Sequence, residues 1–165
     1  MRLDYSLSST SDPESAVLEI ASRMARPFER LFLRPYHDPV GFPTVGYGHL
    51  LSRQAWAKLD QWQSVTQEEA EVLLRNDMRK AYRAVRKLIT VQLTVNQAAA
   101  LTDFTFNLGG GALQRSTLRR MINRGDFADA ALEFVKWNKA MSRGRLIVLR
   151  GLTRRRCAER DLFNL

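Results

Sequence analysis

Between Leu33 and Leu51 the helical spacing that governs most of this chain breaks off. Pro35, Pro39, Gly41, Pro43, Gly46 and Gly48 punctuate a run that carries Tyr36, Phe42, Val45 and Tyr47. Proline cannot continue a helix and glycine opens tight turns, so short strands with sharp turns are predicted there. On either side the apolar residues return to helical spacing. Asp12 and Pro13 make an N-cap and first-turn pair ahead of Val17, Ile20, Ala21, Met24 and Phe28. Thr66 and Glu69 make a capping box before Ala70, Leu73, Leu74, Met78, Ala81, Val85 and Leu88, a long helix whose apolar stripe also contains Asp77. A second box, Thr94 with Gln97, opens a helix through Leu101, Phe104 and Leu108 that Gly109, Gly110 and Gly111 end. Shorter helices are predicted from Ser116 to Arg124, from Asp126 through Phe134, and from Thr153 to Phe163.

This pattern predicts a mostly helical α+β protein with a small β segment after the first helix. The first helix and β lobe would cover residues 12–65, the connecting helix and helical lobe 66–165, and a cleft between the lobes follows as an expectation. A chain of 165 residues that is 45% hydrophobic and 26% charged can bury a sizeable core and is not disordered. No run approaches the roughly 18 apolar residues of a membrane span, and the start, MRLDYSLSSTSDPES, lacks a basic segment leading into an apolar one. The expectation is a chain that stays in the cytoplasm where it is made. Cys157 is the only cysteine, so neither an internal disulfide nor a zinc cluster is indicated, and no metal or cofactor is predicted. The net charge of +9 suits nucleic acid, anionic lipid, lipopolysaccharide or a carboxylate-rich cell wall alike.

Where the first helix meets the β segment stand two carboxylates, Glu29 and Asp38. The hydroxyl of Thr44 and a glycine-flanked turn ending in His49 follow. Hydrolysis of a glycosidic bond uses such a pair: one acid protonates the leaving oxygen while a carboxylate either attacks the sugar or activates a water. Glu29 stands beside apolar Phe28, Leu31 and Phe32, so partial burial would hold it protonated near neutral pH, whereas Asp38, among turn residues, would stay ionised. Either one alone reads as an ordinary surface carboxylate.

The set is more specific than its members. Glu, eight residues, Asp, five residues, Thr, then x-Gly-x-Gly-His is met by Glu29, Asp38, Thr44, Gly46, Gly48 and His49. It resembles the signature of the phage-type lysozyme family, the endolysins related to T-even phage lysozymes (glycoside hydrolase family 24). At roughly 5% usage per residue type, six fixed matches arise by chance on the order of 10⁻⁸ per starting position. VTQEEAEVLLRND is similar to the family's central helix, ALTDFTFNLGGGAL to its core helix and GLTRRRCAERDLF to its terminal helix. The resemblance implies one lysozyme-like, two-lobed catalytic domain over 1–165. It implies hydrolysis of the β-1,4 bond between N-acetylmuramic acid and N-acetylglucosamine of bacterial peptidoglycan, for phage-induced host lysis.

At matching positions the resemblance implies Glu29 as general acid, Asp38 as second carboxylate and Thr44 as the hydroxyl that helps hold the attacking water. Relatives invert the anomeric centre, which implies a carboxylate gap wide enough for that water. Leu50, Phe106 and Thr117 match glycan-contacting positions, and Arg154 or Arg155 matches an arginine set against the catalytic glutamate. His49 invites a proton-transfer role, but its place after the Gly-x-Gly turn favours a buried structural group. A pairing with it would explain Asp77 on an apolar stripe, where an unpaired carboxylate is costly. The family's histidine and its aspartate partner point the same way. A monomer is implied, with no nucleic acid partner and access to the wall through a separate membrane pore.

Some residues depart from the family. Arg30 stands where relatives have glycine and would lower the pKa of Glu29 if the two paired. Pro27 should end the first helix early, and Glu133 replaces a glycan-contacting asparagine. Towards the C-terminus Arg143, Arg145, Arg150, Arg154, Arg155, Arg156 and Arg160 interleave with Leu146, Ile147, Leu149, Leu152 and Leu162. This segment reads either as a packed terminal helix with a solvated basic face or as a surface for an anionic outer membrane. Two other functions stay open. A lytic transglycosylase closes the sugar on itself and needs no second carboxylate, and a non-catalytic basic protein binding nucleic acid or membrane needs neither. The matched Asp38 and Thr44 favour water as the nucleophile.

Overall fold

The computed structural model describes residues 12–142 and 144–165, so the opening segment read for a leader and Arg143 lie outside the described residues. Helix α1 (Pro13–Ala25) begins where the Asp12 carbonyl accepts the Ala16 amide at 3.0 Å, and it buries Val17, Leu18, Ile20, Ala21 and Met24. It stops two residues before Pro27, as the missing N–H and ring of proline dictate. The Phe28 and Glu29 amides turn back onto the Ala25 carbonyl at 2.9 and 3.1 Å, which leaves Glu29 in the bend after the helix.

The punctuated run forms an antiparallel sheet of β1 (Phe32–His37), β2 (Pro43–Gly46) and β3 (His49–Leu50), in that spatial order. Phe32 pairs with Gly46, but further along Tyr36 pairs with Thr44 and His37 with Pro43, so the register shifts in between. Pro35 lies within that shift and has no N–H to give a ladder. Thr44 and Val45 pair in turn with Leu50 and His49.

Helix α2 (Gln67–Leu88) opens with the reciprocal Thr66–Glu69 box, at 2.8 and 3.2 Å. The Thr94–Gln97 box likewise opens α3 (Val95–Leu108). Gly109 alone ends α3. Gly110 and Gly111 begin a further short helix, α4 (Gly110–Arg115), which the glycine run concealed. Helices α5 (Thr117–Arg124), capped by the Ser116 hydroxyl, and α6 (Phe127–Glu133) follow. A hairpin of β4 (Lys139–Ser142) and β5 (Arg145–Val148) precedes α7 (Arg150–Phe163). Neither the hairpin nor the start of α7 at Arg150 was expected. The strands are short, and β5 is exposed along its length, so no alternation of apolar and polar residues announces it.

The fold class is the mostly helical α+β one expected, with a small antiparallel sheet after the first helix. The chain divides into two compact units, Ala25–Asp77 and the remainder, in which α1 up to Met24 groups with Met78–Leu165. The helical unit rests on an aromatic cluster. Phe104 meets Phe134 edge-on at 5.6 Å and Trp137 at 5.5 Å, and Phe134 meets Phe163 at 5.4 Å. Leu101, Leu113, Leu118 and Ile122 are fully buried, each contributing about 1.5–3 kcal/mol of transfer free energy. No described helix is long and apolar enough to cross a membrane.

Candidate active site

Two carboxylates of the sheet unit bear on one tyrosine. Tyr36, in β1, has its hydroxyl pKa raised first by burial, then by the negative charges of Glu29 and Asp38. Both carboxylates therefore lie within electrostatic reach of the same side chain. Glu29 is half-buried, and its Oε2 lies 3.9 Å from where a Cβ on Gly48 would stand. Arg30 sets its guanidinium over the Phe32 ring, 5.4 Å from the centroid.

Asp38 organises the turn between β1 and β2. Its Oδ1 accepts the Val40 amide at 2.9 Å and the Phe42 amide at 2.8 Å. Its own N–H donates to the Phe42 carbonyl at 3.0 Å, and its carbonyl takes the Gly41 amide at 2.9 Å. Both side-chain bonds fall on Oδ1. Thr44, buried in β2, donates its hydroxyl proton to the Phe42 carbonyl at 2.9 Å, which leaves the oxygen's lone pairs as acceptors.

The β2–β3 turn is held close to α2. Gly46, at φ +65, would bring a Cβ to 3.3 Å from Ala70 Cβ, so a side chain there meets both strain and a neighbour. His49 donates Nδ1–H to Asp77 Oδ2 at 2.7 Å, with about a fifth of each side chain still exposed (21% and 18%). Leu50, next along β3, is exposed.

The tip residue Tyr47 donates to Glu71 Oε1 at 2.9 Å, and Arg26 clamps Glu71 from the α1 end at 2.7–3.0 Å. Burial would raise the Glu71 pKa, but the hydrogen bonds from Arg26 and Tyr47 and the arginine's charge outweigh it and hold Glu71 low. Tyr47 is pushed up in return, by burial and then by Glu71.

Sequence reasoning passed over three residues here. Tyr36 had a signal: it stands two positions before Asp38, near the end of the strand that leads into the Asp38 turn. Glu71 had none. Trp56 had none either, although it is the only non-glycine residue at positive φ (+60°) among those described, a conformation that costs on the order of 1–3 kcal/mol. Its indole lies on Gly41, in the Asp38 turn, and 5.2 Å from the His37 ring.

The remaining sequence-predicted positions belong to the helical unit. Phe106 is half-buried, 5.8 Å from the Arg155 guanidinium carbon. The Thr117 hydroxyl accepts a hydrogen bond from Arg120 at 2.8 Å. Glu133 is buried and paired with Lys136. Arg154 is exposed, but Arg155 and Arg156 are not part of a solvated basic face. Arg155 gives Nε and Nη2 to Asp103 at 2.9 and 2.8 Å, and Arg156 gives Nη2 to Glu159 at 2.5 Å and to Asn107 at 3.0 Å. Asp103, Arg156 and Glu159 are fully buried and Arg155 nearly so. Burial, then the neighbouring Asp103, drives the Glu159 pKa well above the usual carboxylate range against the pull of Arg156 and Arg155.

Comparison with known proteins identifies the family. The phage lysozyme family matches residues 26–159. The endolysin of Acyrthosiphon pisum secondary endosymbiont phage 1 is 39% identical over 136 residues, 82% of this chain and 89% of the relative. Among solved structures, the muramidase domain of SpmX from Asticaccaulis excentricus superposes with a TM-score of 0.77 at 34% identity, covering 88% of this chain and 95% of that one. The endolysin of Escherichia coli O157:H7 phage FAHEc1 gives the same TM-score and identity over 87% and 90%. The fold is that of lysozymes. The chain belongs to the phage lysozyme family, glycoside hydrolases of the endolysin type that act on peptidoglycan in host lysis.

Proposed function

We propose that this protein is an inverting muramidase in which Glu29 is the general acid and Asp38, with Thr44, directs the attacking water. Glu29 gives its proton to the glycosidic oxygen as the bond to C1 of N-acetylmuramic acid breaks. A water attacks C1 from the opposite face, Asp38 takes the proton it sheds, and solvent exchange restores both carboxyl groups. The turn that holds Asp38 by one oxygen, next to the Thr44 hydroxyl bonded to the same Phe42 backbone, carries the reading.

The hydrogen bonds suit a water nucleophile. Thr44 has already committed its proton to the Phe42 carbonyl and can only accept from a water. Asp38 also accepts, with its two amide bonds on Oδ1 leaving Oδ2 for the water. Both hydrogens of the water are then taken up, and its lone pair is directed at C1. Mass spectrometry of digested peptidoglycan tests the reaction class. Hydrated reducing ends are expected, and anhydro-muramic ends would mean a transglycosylase.

The arginine-rich region suggests a further partner, an anionic outer-membrane surface. Met141 pairs with Leu146 and Lys139 with Val148 across the β4–β5 hairpin, so these four side chains share one face, and all are exposed. Exposed Arg145, Arg150 and Arg154 accompany that apolar face, a combination that suits anionic headgroups. Sedimentation with phosphatidylglycerol vesicles but not phosphatidylcholine vesicles is expected, and equal recovery with both would reject it.

A further inference from the structure

Trp56 combines two features that folding alone does not reward: a left-handed backbone at a bulky residue and 69% exposure of that residue. Its contacts converge on the turn that carries Asp38. A Cβ on Gly41 would stand 2.5 Å from the indole Cε2 and 2.8 Å from Cζ2 and Nε1, so only glycine lets the ring lie against that backbone. The Trp56 amide donates to the Gly41 carbonyl at 2.8 Å. Beside it, His37 donates Nε2–H to the Ala57 carbonyl at 2.9 Å, and the two rings are in contact. Residues 56–57 are thus fastened to both sides of Asp38, at His37 and at Gly41.

We propose that Trp56 is a positioning residue for Asp38. The indole clamps Gly41 and holds the 38–42 turn in the conformation that delivers the Val40 and Phe42 amides to Oδ1. That fixes the plane of the carboxylate and the direction of Oδ2. The strained backbone is what puts the ring there. The inference rests on the role proposed for Asp38. A misplaced base slows the chemical step more than it weakens glycan binding, so a clamp and a sugar-stacking surface differ in which kinetic constant they move.

The test is a set of variants assayed on soluble peptidoglycan fragments: Trp56→Gly, Trp56→Phe, Asp38→Asn and the Asp38→Asn/Trp56→Gly double variant. Glycine relieves the positive φ while deleting the ring, so Tm should stay within about 3 °C of wild type. Its kcat should fall about 10–100-fold with KM changed by less than about twofold. Phe, which keeps a ring over Gly41, should recover most of the loss. In the Asp38→Asn background, Trp56→Gly should cost less than about twofold more, because both changes act on one group. Unchanged kcat in Trp56→Gly, a rise in KM alone, or the same proportional loss in the double variant would each overturn the clamp. If Asp38→Asn by itself stays fully active, the failure lies instead with the role of Asp38.

Discussion

One group of charges in each unit is treated in opposite ways. In Ala25–Asp77, Glu29 and Asp38 are half-exposed, and Asp38 is held by backbone amides on one oxygen only. In the helical unit, Asp103, Arg155, Arg156 and Glu159 are sealed from solvent, with Arg155 on Asp103 and Arg156 on Glu159. Asp38 is thereby fixed in position, with both printed side-chain bonds on one oxygen. The helical group is bonded inside the protein and reaches no solvent. Removing Glu29 or Asp38 should then cost activity, and removing a charge from the buried helical cluster should cost stability.

The largest expected effect is at Glu29. Glu29→Gln deletes the transferable proton with almost no change of shape, so peptidoglycan clearing should drop about 10²–10⁴-fold while the thermal midpoint stays put. Activity above about a tenth of wild type would remove Glu29 from its role. Next comes Arg155→Met, which leaves the buried Asp103 without its bidentate partner. Urea unfolding should report a loss of about 3–5 kcal/mol, and a loss below about 1 kcal/mol would break the contrast between the units.

Asp77 sharpens the comparison because it lies in the sheet unit yet is bonded to protein. The exposure left to its pair with His49 softens the penalty, so Asp77→Asn should cost about 1–3 kcal/mol and lower kcat by a smaller factor than that loss would imply. An unchanged unfolding midpoint would dismiss the pair as structural. Glu159 gives the smallest effect. Its pKa is raised in the folded state, so the native protein binds a proton that the unfolded chain has released. Stability from this group is fully present below the usual carboxylate range and declines as pH rises from about 4.5 towards the folded value, by at most about 1.4 kcal/mol per pH unit. Glu159→Gln should flatten that decline in urea midpoints from pH 4 to 8, and parallel curves would contradict it.

Sequence spacing made the helices legible because capping boxes and apolar stripes are local: Thr66–Glu69 and Thr94–Gln97 both close as reciprocal caps. The proline and glycine run likewise announced the sheet. Tertiary bonds had no such local mark. Asp103 looks like one more polar residue in a helix, and the double arginine at 155 and 156 reads as a solvated basic face until α7 is packed against α3. Trp56 was invisible for a related reason, since its partners Gly41 and His37 lie well before it in sequence. The spacing singles out Glu29, Asp38 and Thr44 as a set, but which oxygen of Asp38 is tied down emerges only from the turn's amides.

The central claim is that Asp38 and Thr44 direct a water rather than attack the sugar, and proton NMR of the first-formed anomer tests it most directly. Cleavage of the β-linked glycan should release the α anomer before mutarotation mixes the two, because the water arrives opposite the leaving oxygen. Initial accumulation of the β anomer would contradict the account and make Asp38 a covalent nucleophile.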